Sequence, residues 1–358
     1  IILQRINRIN LSLIGYKFFS IHFRTIIVTM SFNIEHLKQR PHLVILGAGA
    51  TIATIPAGDK YGRKSSVMDN FISELQLNDL FKNIQLKTNS KNLENIYSEL
   101  YERNDCQNIR LALEERIFNH FDLLCLPDQP TIYDLLIISL RKKDAIATFN
   151  WDPLLLQAYN RVVKITDDSP ELLFLHGCVH AGICRQDNRF GHIKAHCPVC
   201  GHSFQKIPLL YPVKQKDYTS DIFIRDQWQA GKYYLQQSLI LTIFGYSAPE
   251  TDREALNLLH QGYGSDVRYL DQIEIIDIKE HNQLYDTWSY FFDKSHGHLE
   301  THKSFFDSLL AEFPRRSVEG YYKRNIEGWW GDSPVCFKEE NCNTFENLKM
   351  LLNPLLQK

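Results

Sequence analysis

The sequence predicts an α/β protein of the Rossmann-like, doubly wound type: a parallel sheet with a helical insertion, a small zinc-knuckle insertion and a helical C-terminal extension. Three observations predict it. Short apolar runs rich in β-branched residues end in glycine or polar punctuation, which is how strands buried on both faces read. Stretches with apolar residues at three- and four-residue spacing lie between them, and strands that alternate with helices imply parallel pairing. Four of the eight cysteines fall between Cys178 and Cys200, a clustering that belongs to a metal site in a reducing compartment, and so to the cytoplasm, more than to a disulfide scaffold.

The first thirty residues stand apart. Arg5, Arg8, Lys17 and Arg24 occur there without an acidic partner, and the first methionine is Met30. This segment reads either as an Arg-rich transit peptide or as upstream sequence ahead of a start at Met30, and the second reading is favoured; 1–40 is taken as lying outside the fold. Lys17, His22 and Arg24 interrupt the apolar run from Leu11 to Val28, which falls short of the ~20 residues a membrane span needs.

A Rossmann-type domain is expected over 41–280. Its strands are read at His42 to Leu46, Ala145 to Thr148, Val162 to Ile165, Leu172 to Leu175, Leu239 to Phe244 and Ile273 to Ile276. A helical insertion over about 66–140 holds the periodic segments Met68 to Leu80, Leu93 to Tyr101, Ile109 to Leu124 and Thr131 to Leu140. From 281 to 358 the pattern turns helical and aromatic, as in Tyr285 to Phe292, His302 to Phe313 and Phe345 to Leu355. A hydrophobic fraction of 44% supports a folded chain, and a formal charge of -2 supplies no global field for nucleic acid.

Ligands of doubly wound sheets bind beyond the carboxyl ends of the strands. The first strand runs into Gly47-Ala48-Gly49-Ala50-Thr51, a turn whose backbone N–H groups can approach a pyrophosphate, though such turns are also common without one. The second ends in Thr148-Phe149-Asn150-Trp151-Asp152-Pro153, where Asn150 and Asp152 are either site residues or helix caps. Leu175-His176-Gly177 puts an imidazole at the same edge, and Gly245-Tyr246-Ser247 ends a later strand.

The zinc knuckle is read over about 178–204. Cys197 and Cys200 form a C-x2-C turn suited to one tetrahedral Zn²⁺, and Cys184 supplies a third thiolate. The fourth ligand is open between Cys178, His180, His192 and His196, with Cys178 chosen. A full set of protein ligands implies structural zinc.

Taken together, a Gly-Ala-Gly loop at Gly47 to Gly49, Thr148 to Asp152, His176-Gly177, the cysteines from Cys184 to Cys200, and Gly245 to Ser247 form an ordered set that resembles the sirtuin superfamily, from Leu43 to Ile278, roughly two thirds of the chain. The resemblance implies NAD+ as substrate. Gly47, Ala48, Gly49 and Thr51 would take the phosphates, Thr148 would line the cofactor site, Asn150 would orient the ribose or a water, and Asp152 would hold the loop or the nicotinamide amide. His176 would act as base, Gly245 and Ser247 would close the site, and Asp277 would meet the adenosine ribose. Two departures bear on the acceptor. Sirtuin deacylases follow the loop with Gly-Ile-Pro-Asp-Phe-Arg, where this chain reads Ile55-Pro56-Ala57-Gly58-Asp59 with Tyr61 and Arg63 only loosely comparable. They also carry Phe-Gly-Glu after the zinc module, where this chain has Leu210-Tyr211-Pro212-Val213-Lys214. The expectation is therefore an NAD+ glycohydrolase of the SIR2-like kind found in antiphage defence, gated by self-assembly or a partner protein. Protein deacylation or ADP-ribosylation, and a non-catalytic NAD or ADP-ribose sensor, are the alternatives.

Overall fold

The computed structural model describes residues 34–65, 68, 70–213, 216–249, 252–266, 268, 270–295, 298–329, 331 and 333–356. The chain divides into a unit of residues 1–39 and a unit of residues 40–358. Within the first, α1 is Ile34–Gln39; the reading of the segment before it as a leader lies outside the described residues.

The second unit follows the order β1 (His42–Leu46), α2 (Ala48–Thr54), α3 (Phe71–Glu74), α4 (Leu93–Glu102), α5 (Gln107–Asp122), α6 (Ile132–Ile138), β2 (Ala145–Thr148), α7 (Leu154–Val162) and β3 (Glu171–Phe174). A ribbon of β4 (Ala181–Cys184), β5 (Arg189–His192) and β6 (Gln205–Lys206) comes next. It is followed by α8 (Ile222–Gln237), β7 (Ile240–Phe244), α9 (Arg253–Tyr263), β8 (Gln272–Ile276), α10 (His281–Lys294), β9 (Leu299–His302), α11 (Leu309–Glu312), α12 (Ser317–Tyr321) and α13 (Phe345–Leu356).

Six strands pair in the order β3-β2-β1-β7-β8-β9, each neighbour parallel. The continuous apolar runs have the cause expected of them: helices cover both faces. Val44, Leu46, Ile146, Phe244 and Ile276 pack against the insertion helices and against Leu310, Leu348 and Leu352 near the C-terminus. Leu43, Ile45, Ala147, Ile243 and Ile275 pack on the other side against Phe223, Trp228, Leu259, Trp288 and Phe291. The chain winds outward from β1 to β3 and then in the opposite direction from β7 to β9, so the topological switch point lies at the carboxyl ends of β1 and β7.

Two sequence expectations need correction. Val162 to Ile165 is not a strand: Val162 closes α7, where Leu154, Leu155, Ala158 and Val162 form a buried helical stripe, and a turn follows. The stretch His302 to Phe313 is not one helix. It begins in β9, passes through a 3-10 turn at Phe305–Asp307, and only then enters the short α11. The C-terminal region is largely helical, but it also supplies the sixth strand. Among the described residues, no helix is long and apolar enough to cross a membrane.

Candidate functional site

At the switch point the glycine turn and the end of β7 touch backbone to backbone. Gly47 N–H donates to Phe244 O at 3.0 Å and Gly49 N–H to Gly245 O at 2.9 Å. A Cβ on Gly47 would lie 2.5 Å from Tyr246 Cα, and one on Gly245, which holds φ at +61°, would lie 2.3 Å from Ala50 N. The glycines are thus demanded by this close approach. Of the groups expected to meet phosphate, the N–H groups of Gly47 and Gly49 are already donated to protein carbonyls.

Thr51 is likewise turned inward. Its hydroxyl donates to Asp152 Oδ2 at 2.8 Å and lies 2.8 Å from the Tyr133 hydroxyl. Asn150 Nδ2 donates to Gly47 O at 2.8 Å and to Thr51 Oγ1 at 3.0 Å. With both amide hydrogens engaged, the Asn150 carbonyl oxygen is the atom left to accept a bond. Thr148 fixes the strand end by accepting Asn150 N–H at 3.0 Å. Asp152 also accepts Leu154 N–H at 3.0 Å and so satisfies the first N–H of α7. Burial raises its carboxyl above the usual range, against the bonds from Thr51 and Leu154. The structure therefore shows Asp152 as a buried brace for the loop.

His176 leaves the end of β3, next to β2 in the sheet. It is 5% exposed. Its Nε2 lies 3.3 Å from the Tyr218 hydroxyl, and the Phe149 ring meets it edge-on at 4.7 Å. Burial lowers the imidazole to about 4, with Asp252 opposing and Lys216 reinforcing that shift, so the ring is neutral at pH 7. Tyr246 stacks on Phe149 at 4.2 Å and donates to Asp252 Oδ2 at 3.1 Å, and Asp252 forms a buried ion pair with Lys216. Asn150 and His176 thus stand on neighbouring strand ends, connected through Gly47, Tyr246 and Phe149, with no direct bond between them.

Among the other expected residues, Ala48, Gly49 and Gly245 are half-buried and Ser247 is exposed. Asp277 accepts Lys279 N–H at 2.9 Å within its own turn. Sequence reasoning missed Tyr133, Lys216, Tyr218 and Asp252. The last three sit in aperiodic segments, and nothing local signals that they converge on His176.

In the ribbon, Cys184, Asp187, Cys197 and Cys200 bring their ligand atoms within 4.8 Å of one another. Cys184 Sγ lies 3.4 Å from Cys200 Sγ, and Asp187 Oδ2 lies 3.5 Å from Cys184 Sγ and 3.1 Å from Cys197 Sγ. A tetrahedral ion with thiolate and carboxylate ligands spaces them about 3.5–3.8 Å apart, so the group is close to the geometry of one bound ion. Gly201, at φ +76°, lets the Cys197–Cys200 turn close. Cys178 is not part of the cluster. Its thiol is buried in the core against Asp152 O at 3.5 Å, and burial pushes it up to about 12. His180 is engaged with Asp122 at 3.0 Å. Asp187 is the fourth group of the cluster that could hold an ion, unnoticed in the sequence because a loop carboxylate ordinarily reads as solvated.

No protein-family model matches the chain, and no curated protein matches it. Solved structures similar to it include a Sir2 enzyme from a study of Sir2 mechanism and regulation, at 14% identity and a TM-score of 0.36 over 81% of this chain and 96% of that one. A Sir2 bound to acetylated peptide is similar at 14% identity and a TM-score of 0.35, over 84% of this chain and 98% of the other. A Sir2 homolog in complex with NAD gives 15% identity and a TM-score of 0.33, over 81% and 93% of the two chains.

Proposed function

We propose that this protein hydrolyses NAD+ to nicotinamide and ADP-ribose at the carboxyl edge of β1, β2, β3 and β7. The observation that carries this reading is the pairing, on adjacent strand ends beside the switch point, of an Asn150 amide whose hydrogens are engaged and whose oxygen is left to accept, with a neutral imidazole at His176. The sirtuin-like order of motifs along the chain agrees with it.

The dinucleotide would cross the half-buried Ala48, Asn150 and Gly245 and the exposed Ser247, with Asp277 at the far end. Cleaving the nicotinamide–ribose bond builds positive charge on the sugar, so rigid positioning carries much of the rate. Asn150 would accept a hydrogen bond from a ribose hydroxyl or from the attacking water. His176 would accept the proton released, a contribution typically worth about 10²–10⁴ in rate. Phe149 and Tyr218 cover the imidazole, so binding would need Tyr218 to swing aside; that closed state is what gating by assembly or a partner would act on.

Water as acceptor is supported by what fills the neighbouring space. The segment after the ribbon lies along the His176 edge, with Leu210 N–H donating to His176 O at 3.0 Å. Tyr211, in the segment that stands where the deacylases carry Phe-Gly-Glu, stacks on Tyr97 at 5.1 Å and packs on Trp151 at 5.2 Å, so its ring is taken up by the chain's own aromatic side chains. Zn²⁺ in the ribbon would be structural, since Cys184, Asp187, Cys197 and Cys200 complete four ligands.

Product analysis on NAD+ with and without an acetylated peptide tests the reading. Nicotinamide and ADP-ribose in equal amounts, unchanged by peptide, are expected; acceleration by peptide with transfer of the acyl group to ADP-ribose would replace it with deacylation. The covered imidazole favours one second reading, a nucleotide sensor, which would bind NAD+ or ADP-ribose and release no nicotinamide.

A further inference from the structure

Away from this site, on the sheet face that packs under the C-terminal helices, Glu274 of β8 stands directly across from Glu300 of β9. Like charges directly opposite on neighbouring strands destabilise a sheet. Here the Glu274 side chain is fully buried and that of Glu300 is one third exposed. His302, two residues along β9, brings Nε2 to 3.2 Å from Glu274 Oε1 and 3.7 Å from Glu300 Oε2. That nitrogen is buried and makes an aligned hydrogen bond to neither carboxylate. The three ligand atoms lie within 4.8 Å of one another.

The surroundings are organised around Glu274. Thr242 Oγ1 donates to its Oε2 at 2.8 Å and Leu309 N–H to its Oε1 at 2.7 Å. Because the Thr242 hydroxyl donates to the carboxylate, it accepts from His42 Nε2 at 2.7 Å, and His42 Nδ1 accepts from Ser317 Oγ at 2.9 Å. Partners of this kind hold a ligating carboxylate in one orientation. On the other side, Arg324 pairs with Glu312 at 2.8 Å and bears on Glu300 from a distance. Oxygen and imidazole ligands about 2.1 Å from an ion sit about 3.0–3.4 Å apart, close to the 3.2 and 3.7 Å found here.

We propose that Glu274, Glu300 and His302 bind one divalent first-row metal ion through oxygen and imidazole ligands, Mn²⁺ being the representative case. A bound divalent ion would place two positive charges between the facing glutamates and so offset their repulsion across β8 and β9. The partly exposed Glu300 edge is the way in. Carboxylate and imidazole ligands suit Mn²⁺, whereas thiolates select other ions, which separates this site from the ribbon.

The test is Mn²⁺ titration of the full-length protein followed by electron paramagnetic resonance, which reads free Mn²⁺ directly. One tightly bound ion per chain is expected. Glu300→Gln and His302→Ala should each weaken it at least tenfold, and Asp187→Asn in the ribbon should leave it unchanged. Should His302→Ala fail to fold, Glu300→Gln keeps the shape of a partly exposed side chain and carries the comparison alone. Uptake by the unaltered protein no greater than by Glu300→Gln, or uptake lost with Asp187→Asn, overturns the proposal. None of these readings depends on NAD+.

Discussion

At position 47 the chain has no room for a side chain, because the end of β7 passes within 2.5 Å of where a Cβ would stand. Gly47→Ala must push Tyr246 away, and Tyr246 stacks on the ring that packs on His176. Overpacking of this kind costs about 1–3 kcal/mol, so the variant should unfold at lower denaturant than the parent protein. A second prediction concerns His42, fully buried between Thr242 and Ser317, where burial and then Lys143 lower the imidazole to about 3. The unfolded chain binds this proton below about 6.5 and the folded one does not. Stability from His42 is therefore complete above pH 6.5 and falls as pH drops from there toward 3, by at most about 1.4 kcal/mol per pH unit. Denaturant curves between pH 7 and pH 5 should show this slope, and His42→Gln should flatten it; an unchanged slope would reject the assignment.

At the scale of elements, legibility followed the cause of each pattern. β1, β2, β7 and β8 were readable because burial on both faces forces uninterrupted apolar runs. β9 was not, because on the face toward the C-terminal helices it carries Glu300 and His302, whose pairing is invisible in a local window. Val162 to Ile165 misled because a β-branched run at the end of a helix looks the same as a short strand. In the ribbon the C-x2-C turn was plain, while the fourth ligand was chosen by nearness in sequence, and β4 carries Cys184 away from Cys178. The ligand set makes a direct prediction: Cys178→Ser should retain one zinc per chain by elemental analysis, and Asp187→Asn should weaken zinc retention during dialysis against a chelator. The reverse result would restore Cys178.

Over the whole molecule, the doubly wound sheet and its switch point could be anticipated from the order of strands and helices, and so could the edge that gathers Gly47, Asn150, His176 and Gly245. The enclosure of that edge could not. Tyr218 and Asp252 reach His176 from 42 and 76 residues away in sequence, 218 − 176 and 252 − 176, and only the fold brings them there. The same convergence shuts the imidazole from solvent, which ties the proposed hydrolysis to a conformational or assembly step. The most direct measurement is nicotinamide release from NAD+ by the purified protein, sampled across every assembly state resolved by size exclusion, beside Asn150→Ala and His176→Ala. Release in at least one state, reduced about 10²-fold or more by His176→Ala with the fold intact, is the expected result; undiminished release by His176→Ala would contradict it.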